Sequence, residues 1–305
     1  MNFPILSDEF RIERLTPPSH TPVRMVLDTD AFNEIDDQFA IVQSFLSPEH
    51  LELEAIYPAP FHNDRSKNAQ DGMEKSFEEI LRLIDRLKIP NVRTLHRGSK
   101  HFLQDPLKGE ESEVAHHLIE RAQADSSPLY VVAIGAPTNI ASALLINPEI
   151  VENIVVVWLG GQPHHFQNAH EFNLQQDPYA SRILFDCGVP LLQIPCQGVA
   201  SHLITTAGEL DAYVAGKGEI GDYLVDIFKN YANNPFGWSK VIWDISAPAW
   251  LINSDWVHSS YVHSPILTDQ LTYTSDKNRH IMRIANRVNR DAIFADLFSK
   301  LALHS

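Results

Sequence analysis

The chain has 305 residues, 44% of them hydrophobic and 21% charged, enough for a large buried core, and the length suits one large α/β domain or two small ones. Its formal net charge of −15 speaks against nucleic acid and anionic membrane surfaces as partners; a small neutral or cationic ligand, or one bridged by a metal, fits better. Cys187 and Cys196 stand in apolar text and read as buried free thiols rather than a bridge.

Residues 1–22 read as a polar surface leader that includes Pro17-Pro18. A strand over 23–28 and a helix over 37–46 flank an acidic loop. Leu51 to Ile56 has the pattern of a second strand. Residues 67–87 place Met73, Phe77, Ile80, Leu81, Ile84 and Leu87 at the spacing of a long amphipathic helix, which Pro90 stops. Val92 to Leu95 is a short strand, and 112–124 a helix with Val114, Leu118 and Ile119 inward. Leu129 to Ile134 is an apolar run of the kind found in buried parallel strands. It breaks at Gly135 and Pro137, and a helix starts at Thr138. Ile154 to Leu159 is another buried strand, ending in Gly160-Gly161, and a polar, His-rich loop runs from Gln162 to His170. Asp177-Pro178 opens a helix to Asp186, and Val189 to Ile194 is the next strand. Residues 205–231 are helical in two pieces, broken around Gly216 and Gly218. Ile245 to Ile252 reads as a core helix despite Pro248. Residues 256–285 are strand-like, and Asp291 to Leu301 is a terminal amphipathic helix.

This alternation predicts a single-domain α/β fold, a mostly parallel central sheet flanked by helices, with small C-terminal β elements. No stretch is apolar for long enough to span a membrane, and the start lacks the basic region of a signal peptide, so a soluble cytoplasmic protein is expected. In such sheets ligands sit at the carboxyl ends of the strands. The acidic loop, Gly135-Ala-Pro and Gly160-Gly161 all fall there.

The acidic loop concentrates chemistry. Asp28, Asp30, Glu34, Asp36 and Asp37 lie within ten residues and repel one another. Helix capping accounts for one or two of them. A hard divalent cation accounts for the set, because it collects several carboxylate and carbonyl oxygens. Zinc does not fit: the histidines lack i, i+4 spacing and no cysteine pair supports them.

Four blocks then resemble the metal-dependent nucleoside hydrolases of the inosine-uridine preferring type. They are Asp28-Thr-Asp30 with Asp36-Asp37, Ile134-Gly-Ala-Pro-Thr-Asn-Ile-Ala141, Leu159-Gly-Gly161 with Glu171-Phe-Asn173 and Asp177-Pro178, and Trp243-Asp244. They run in order along residues 23–305, the expected catalytic domain. The resemblance implies hydrolysis of the N-glycosidic bond of ribonucleosides to free base and ribose, with Ca²⁺ as cofactor. It implies that Asp30, Asp37, Asp244 and the backbone carbonyl of Ile134 bind the metal. Asp36, Glu171 and Asn173, with Asn168 as a looser candidate, would hold ribose hydroxyls. Asp30 would also accept the proton of the attacking water. It further implies a homodimer or homotetramer acting on a small-molecule nucleoside.

Two departures stand out. The family reads Asp-x-Asp-Pro-Gly-x-Asp-Asp, whereas here the loop is two residues longer, lacks Pro-Gly and adds Asn33 and Glu34 at the metal or sugar rim. The position before the late metal-binding Asp, often His in the family, is Trp243. A Trp can stack on a base but donates no useful acid proton; because purine-preferring branches of the family carry an aromatic residue there, the resemblance implies a purine. His62, His164, His165 and His170 lie on loops expected near the site; His62 is a candidate substrate contact, and His165 or His170 the better candidate acid. The alternatives are a non-catalytic metal-dependent binder of ribosides or polyols, or a hydrolase of another N-ribosyl compound. The strand-Asp28-Thr-Asp30 pattern also resembles a haloacid dehalogenase-type phosphohydrolase, but Phe32 stands where that family wants Thr or Val.

Overall fold

The structure is a computed structural model and describes residues 3–89 and 95–304. The chain runs through α1 (Asp8–Leu15), β1 (Val23–Thr29), α2 (Asp37–Phe45), β2 (Leu51–Pro58), α3 (Ala69–Leu87), α4 (Glu113–Gln123), β3 (Leu129–Ala133) and α5 (Thr138–Ile146). It continues through β4 (Ile154–Leu159), α6 (Phe172–Gln176), α7 (Pro178–Asp186), β5 (Leu191–Ile194), β6 (Ile204–Thr206), α8 (Ala207–Tyr213), α9 (Glu219–Tyr231) and β7 (Ser239–Val241). The last elements are α10 (Ser246–Ile252), β8 (Val257–His263), β9 (Ile266–Leu267), β10 (Tyr273–Thr274), β11 (Ile281–Val288) and α11 (Arg290–Leu303).

Among the described residues, seven strands form the main sheet in the order β2-β1-β3-β4-β5-β11-β8. The pairs are parallel except for the antiparallel edge pair β11–β8. The apolar runs are explained by burial on both faces. Met25 and Leu27 of β1, with Tyr130 and Val132 of β3, join one core that also holds Phe39 and Trp250. Val26, Val131 and Val156 turn the other way into a second core with Trp158 and Phe185. A two-residue side-chain period with apolar residues at every position serves both layers. None of the described helices is long and apolar enough to cross a membrane.

The order places a topological switch at β1. Its partner on one side is β2, which follows it, and on the other β3, so the chain leaves β1 in opposite directions. The loops at the carboxyl ends of β1 and β3 part there and open a crevice.

Several expectations need correction. The leader is not merely draped. Ser7 caps α1 by accepting the Phe10 N–H, and Leu6, Arg11 and Leu15 are buried. Arg11 donates to the carbonyls of Gly188 and Leu6, and Arg283 donates to that of Leu15. An interrupted apolar pattern hid this, because a buried arginine reads as surface. The strand expected from Val189 begins at Leu191. The strand expected over Val92 to Leu95 lies outside the described residues except for Leu95, which makes a parallel bridge to Ile56. Pro248 is accommodated in the first turn of α10, where its missing N–H costs no helical bond. The antiparallel pair of β6 with β7 has no counterpart in the sequence reading; three-residue strands are too short to show a period.

A candidate active site at the strand ends

Backbone hydrogen bonds fix where β1 ends. The Ile134 N–H donates to the Asp28 carbonyl at 2.8 Å, and the Ala59 N–H to the Thr29 carbonyl at 2.8 Å. The acidic loop therefore emerges between two neighbouring strand ends. Gly135 is needed for that approach: a Cβ there would lie 3.1 Å from Ala59 Cβ and 3.2 Å from the carboxyl carbon of Asp30. Gly161 has φ +68°, and a Cβ on it would meet the Tyr273 hydroxyl at 2.4 Å.

These ends enclose a cavity of about 240 Å³. Its walls carry six acids, Asp30, Glu34, Asp36, Asp37, Glu171 and Asp244, together with Asn33, Ile134, Asn173 and Trp243. Asp28 is not among them. It is buried below, where its Oδ1 accepts the Asn139 amide at 2.7 Å, and burial pushes its carboxyl up to about 7.

Asp36, Asp37 and Asp244 can each present an oxygen within 4.8 Å of the others. Burial pushes Asp37 up to about 8, and the charge of Asp36 adds to it; the Thr29 hydroxyl, donating at 2.5 Å, acts the other way. Burial, then the neighbouring acids, raises Asp30 and Asp244 well above the usual carboxylate range. Asp36 is also raised by burial, against the opposing pull of Lys240. Asp30 Oδ2 is buried without a hydrogen-bond partner. So many acceptors with so few donors is costly for the protein alone and suits a hard divalent cation. The residues fit such an ion. Asp36 belongs to the compact trio, whereas Asp30, expected among the ligands, lines the same cavity outside it.

Glu171 lines the same cavity. Its carboxylate caps α6, accepting N–H groups from Asn173 at 2.9 Å and Leu174 at 3.1 Å, and it also accepts the Gly161 N–H at 2.7 Å. Burial raises it, and these bonds hold it down. Asn173 donates its amide to the carbonyls of Ile134 at 3.2 Å and Leu159 at 3.0 Å. Trp243 lines the cavity half-buried, and its backbone N–H donates to Asp36 Oδ2 at 3.2 Å.

The two-residue extension is held from outside. Arg65 donates to the Glu34 carbonyl at 2.9 Å and stacks its guanidinium 4.3 Å from the Phe32 ring centre. Asn63 donates to Asn33 Oδ1 at 2.6 Å. The Glu34 carboxylate pairs with the Lys240 ammonium. Lys240 was missed in the sequence, although it stands three residues before Trp243 in an otherwise apolar segment. Gln162, Cys196 and Gln197 also border the cavity and were missed, being ordinary loop residues in sequence.

Two expected substrate contacts are not brought into this cavity. His62 is exposed on a separate hollow beside Lys100 and His101, because Phe61 before it fills the interior and turns the next side chain outward. Asn168 is exposed; its side chain turns back to accept the His170 N–H at 3.1 Å while Ala169 is buried. His165 and His170 are exposed, and His164 is hydrogen-bonded to Gln193 at 2.8 Å. Among the described residues, no histidine lines the cavity.

Comparison with known proteins gives a consistent result. A family profile described as inosine-uridine preferring nucleoside hydrolase matches residues 25–295. The chain is 27% identical to a probable uridine nucleosidase 2 of Arabidopsis thaliana over 68% of this chain and 69% of that protein. It is 29% identical to the pyrimidine-specific ribonucleoside hydrolase RihA of Salmonella dublin over 55% of this chain, a match spanning 58% of that relative. A solved purine-preferring ribonucleoside hydrolase from Gardnerella vaginalis shares the fold, with TM-score 0.76, 21% identity, and coverage of 92% of this chain and 98% of that one. With a family match over residues 25–295, the chain belongs to the inosine-uridine preferring nucleoside hydrolase family, whose members are N-glycosyl hydrolases.

Proposed function

We propose that this protein hydrolyses the N-glycosidic bond of ribonucleosides to free base and ribose, with Ca²⁺ as cofactor and a purine as the favoured base. The observation that carries the reading is the buried acid set at the switch point, in which Asp30 keeps a carboxylate oxygen without a hydrogen-bond donor. Asp30, Asp37, Asp244 and the Ile134 carbonyl would hold the cation, which when bound would orient the attacking water and lower its pKa. Asp30 accepts the water proton, a task that needs a free, basic oxygen at the cavity wall. Asp36, Glu171 and Asn173 face the ribose hydroxyls. Their carboxylate and amide oxygens stabilise the positive charge that grows on the sugar as the bond to the base breaks. Glu171 suits this role because its backbone bonds hold it rigid, so little reorganisation is needed in the transition state. Trp243 offers an aromatic face to the base, which is the basis of the purine preference.

A panel of purine and pyrimidine nucleosides with Ca²⁺ tests this, with release of reducing sugar as the readout. Turnover with inosine or guanosine above that with uridine or cytidine is expected; no sugar from any of them would overturn the assignment. The lack of a histidine along the cavity, among the described residues, favours one competing reading, a binder that retains the metal but not catalysis. Calorimetric nucleoside binding without turnover would select it.

A further inference from the structure

Among the described residues, Lys240 is the cation that forms ion pairs with the acidic cluster. It lies on β7 with 9% of its surface exposed. Its ammonium pairs with Glu34 of the loop extension and stands 3.8 Å from Asp36 Oδ1. The Tyr231 ring centre is 5.2 Å away on another side. The second oxygen of Asp36 accepts the Trp243 N–H. Both Asp36 oxygens are thus drawn toward one short segment, residues 240–243. No ion pair links Lys240 to Asp37 or Asp244 among the described residues.

This asymmetry separates three acids that are otherwise close enough to share an ion. A buried ammonium is both a partner for a carboxylate and a competitor for a divalent cation. Of the three, it stands beside Asp36 alone, so it offsets that carboxylate's charge and leaves those of Asp37 and Asp244 without an ion pair among the described residues. We propose that Lys240 is a positioning residue that reserves Asp36 for the hydroxyls of the substrate and leaves Asp37 and Asp244 to the metal. Glu34 holds the far side of the ammonium, so the loop extension and Lys240 act as one device. This rests on the metal-dependent hydrolase reading above.

The test uses the full chain stripped of metal, titrated calorimetrically with CaCl₂, and steady-state kinetics with inosine. Lys240→Met removes the charge and keeps the length of the side chain. With the competing cation gone and Asp36 free to join the ion, Ca²⁺ affinity is expected to rise about three- to tenfold. KM for inosine is expected to rise by a larger factor than kcat falls, because Asp36 no longer faces the sugar. Lys240→Arg restores the charge and is expected to return Ca²⁺ affinity to the wild-type value. If Lys240→Met does not fold, Lys240→Gln, which still donates a hydrogen bond, makes the same loss of charge. A wild type that cleaves inosine, with neutral variants that bind Ca²⁺ no more tightly, overturns the assignment alone. A wild type that neither binds Ca²⁺ nor cleaves any nucleoside overturns the reading beneath it as well.

Discussion

Asp36 Oδ2 accepts the backbone N–H of Trp243 at 3.2 Å, a bond that ties the acidic loop after β1 to the turn opening α10 across 207 residues of chain. The donor is main chain, so the indole ring is not needed to hold Asp36. Substitution of Trp243 therefore tests the ring separately from the cluster it borders.

Trp243→Ala is expected to lower kcat/KM for inosine about two- to twelvefold, the range of an aromatic stacking contribution of about 0.5–1.5 kcal/mol. Trp243→Phe keeps a ring and is expected to lose less. Parallel assays with uridine should show a smaller effect, since a pyrimidine offers less area to stack. Equal losses on both bases would place the ring in packing instead.

Asp30→Asn preserves shape and removes one of several mutually repelling buried charges. It is expected to lower kcat by about 10²–10⁴, the usual loss on removing a general base. The metal-free variant is expected to melt no lower than wild type, because burial and the neighbouring acids all disfavour the charge at Asp30. Retained turnover would sink the proton-acceptor role, whatever the melting temperature.

Much of the fold was legible because parallel strands buried on both faces carry uninterrupted apolar runs, as in β3 and β4, and because helix spacing is plain in α3. The site acids were legible because carboxylates at that density need a reason. What sequence could not supply was pairing at a distance. Glu34 had no role until β7 brought Lys240 beside it, a contact spanning 206 positions on a three-residue strand. That His62 and Asn168 do not line the cavity could not be read in advance for a related reason: a loop's polar character does not reveal which way each side chain turns. In both cases a buried neighbour, Phe61 or Ala169, set the direction.

The leader offers a stability test away from the chemistry. Leu15 is fully buried in the same core as Leu27 and Phe39, and its carbonyl receives Arg283. Leu15→Ala is expected to destabilise the protein by about 2–5 kcal/mol, the range for deleting a buried leucine side chain. Urea unfolding followed by fluorescence would measure it. A change within about 0.5 kcal/mol, typical of surface sites, would mean that the leader is not part of the core.

The raised carboxyls predict how pH and calcium interact. Asp37 is pushed up to about 8 and Asp28 to about 7, whereas an unfolded aspartate titrates near about 3.9. Between those values the metal-free folded chain holds more protons than the unfolded chain. Stability must then fall as pH rises through that window. The EDTA-treated protein is expected to melt at progressively lower temperature from pH 5 to pH 8. Calcium reverses part of this, because it binds the ionised carboxylates and competes with their protons. The gap in melting temperature between Ca²⁺-saturated and EDTA-treated protein should therefore widen with pH, being smallest near pH 5. Asp28 lies outside the cavity, so some decline is expected even with Ca²⁺ present. A metal-free melting temperature that rises across the window, or a calcium effect largest at pH 5, would contradict a buried carboxylate site of this kind.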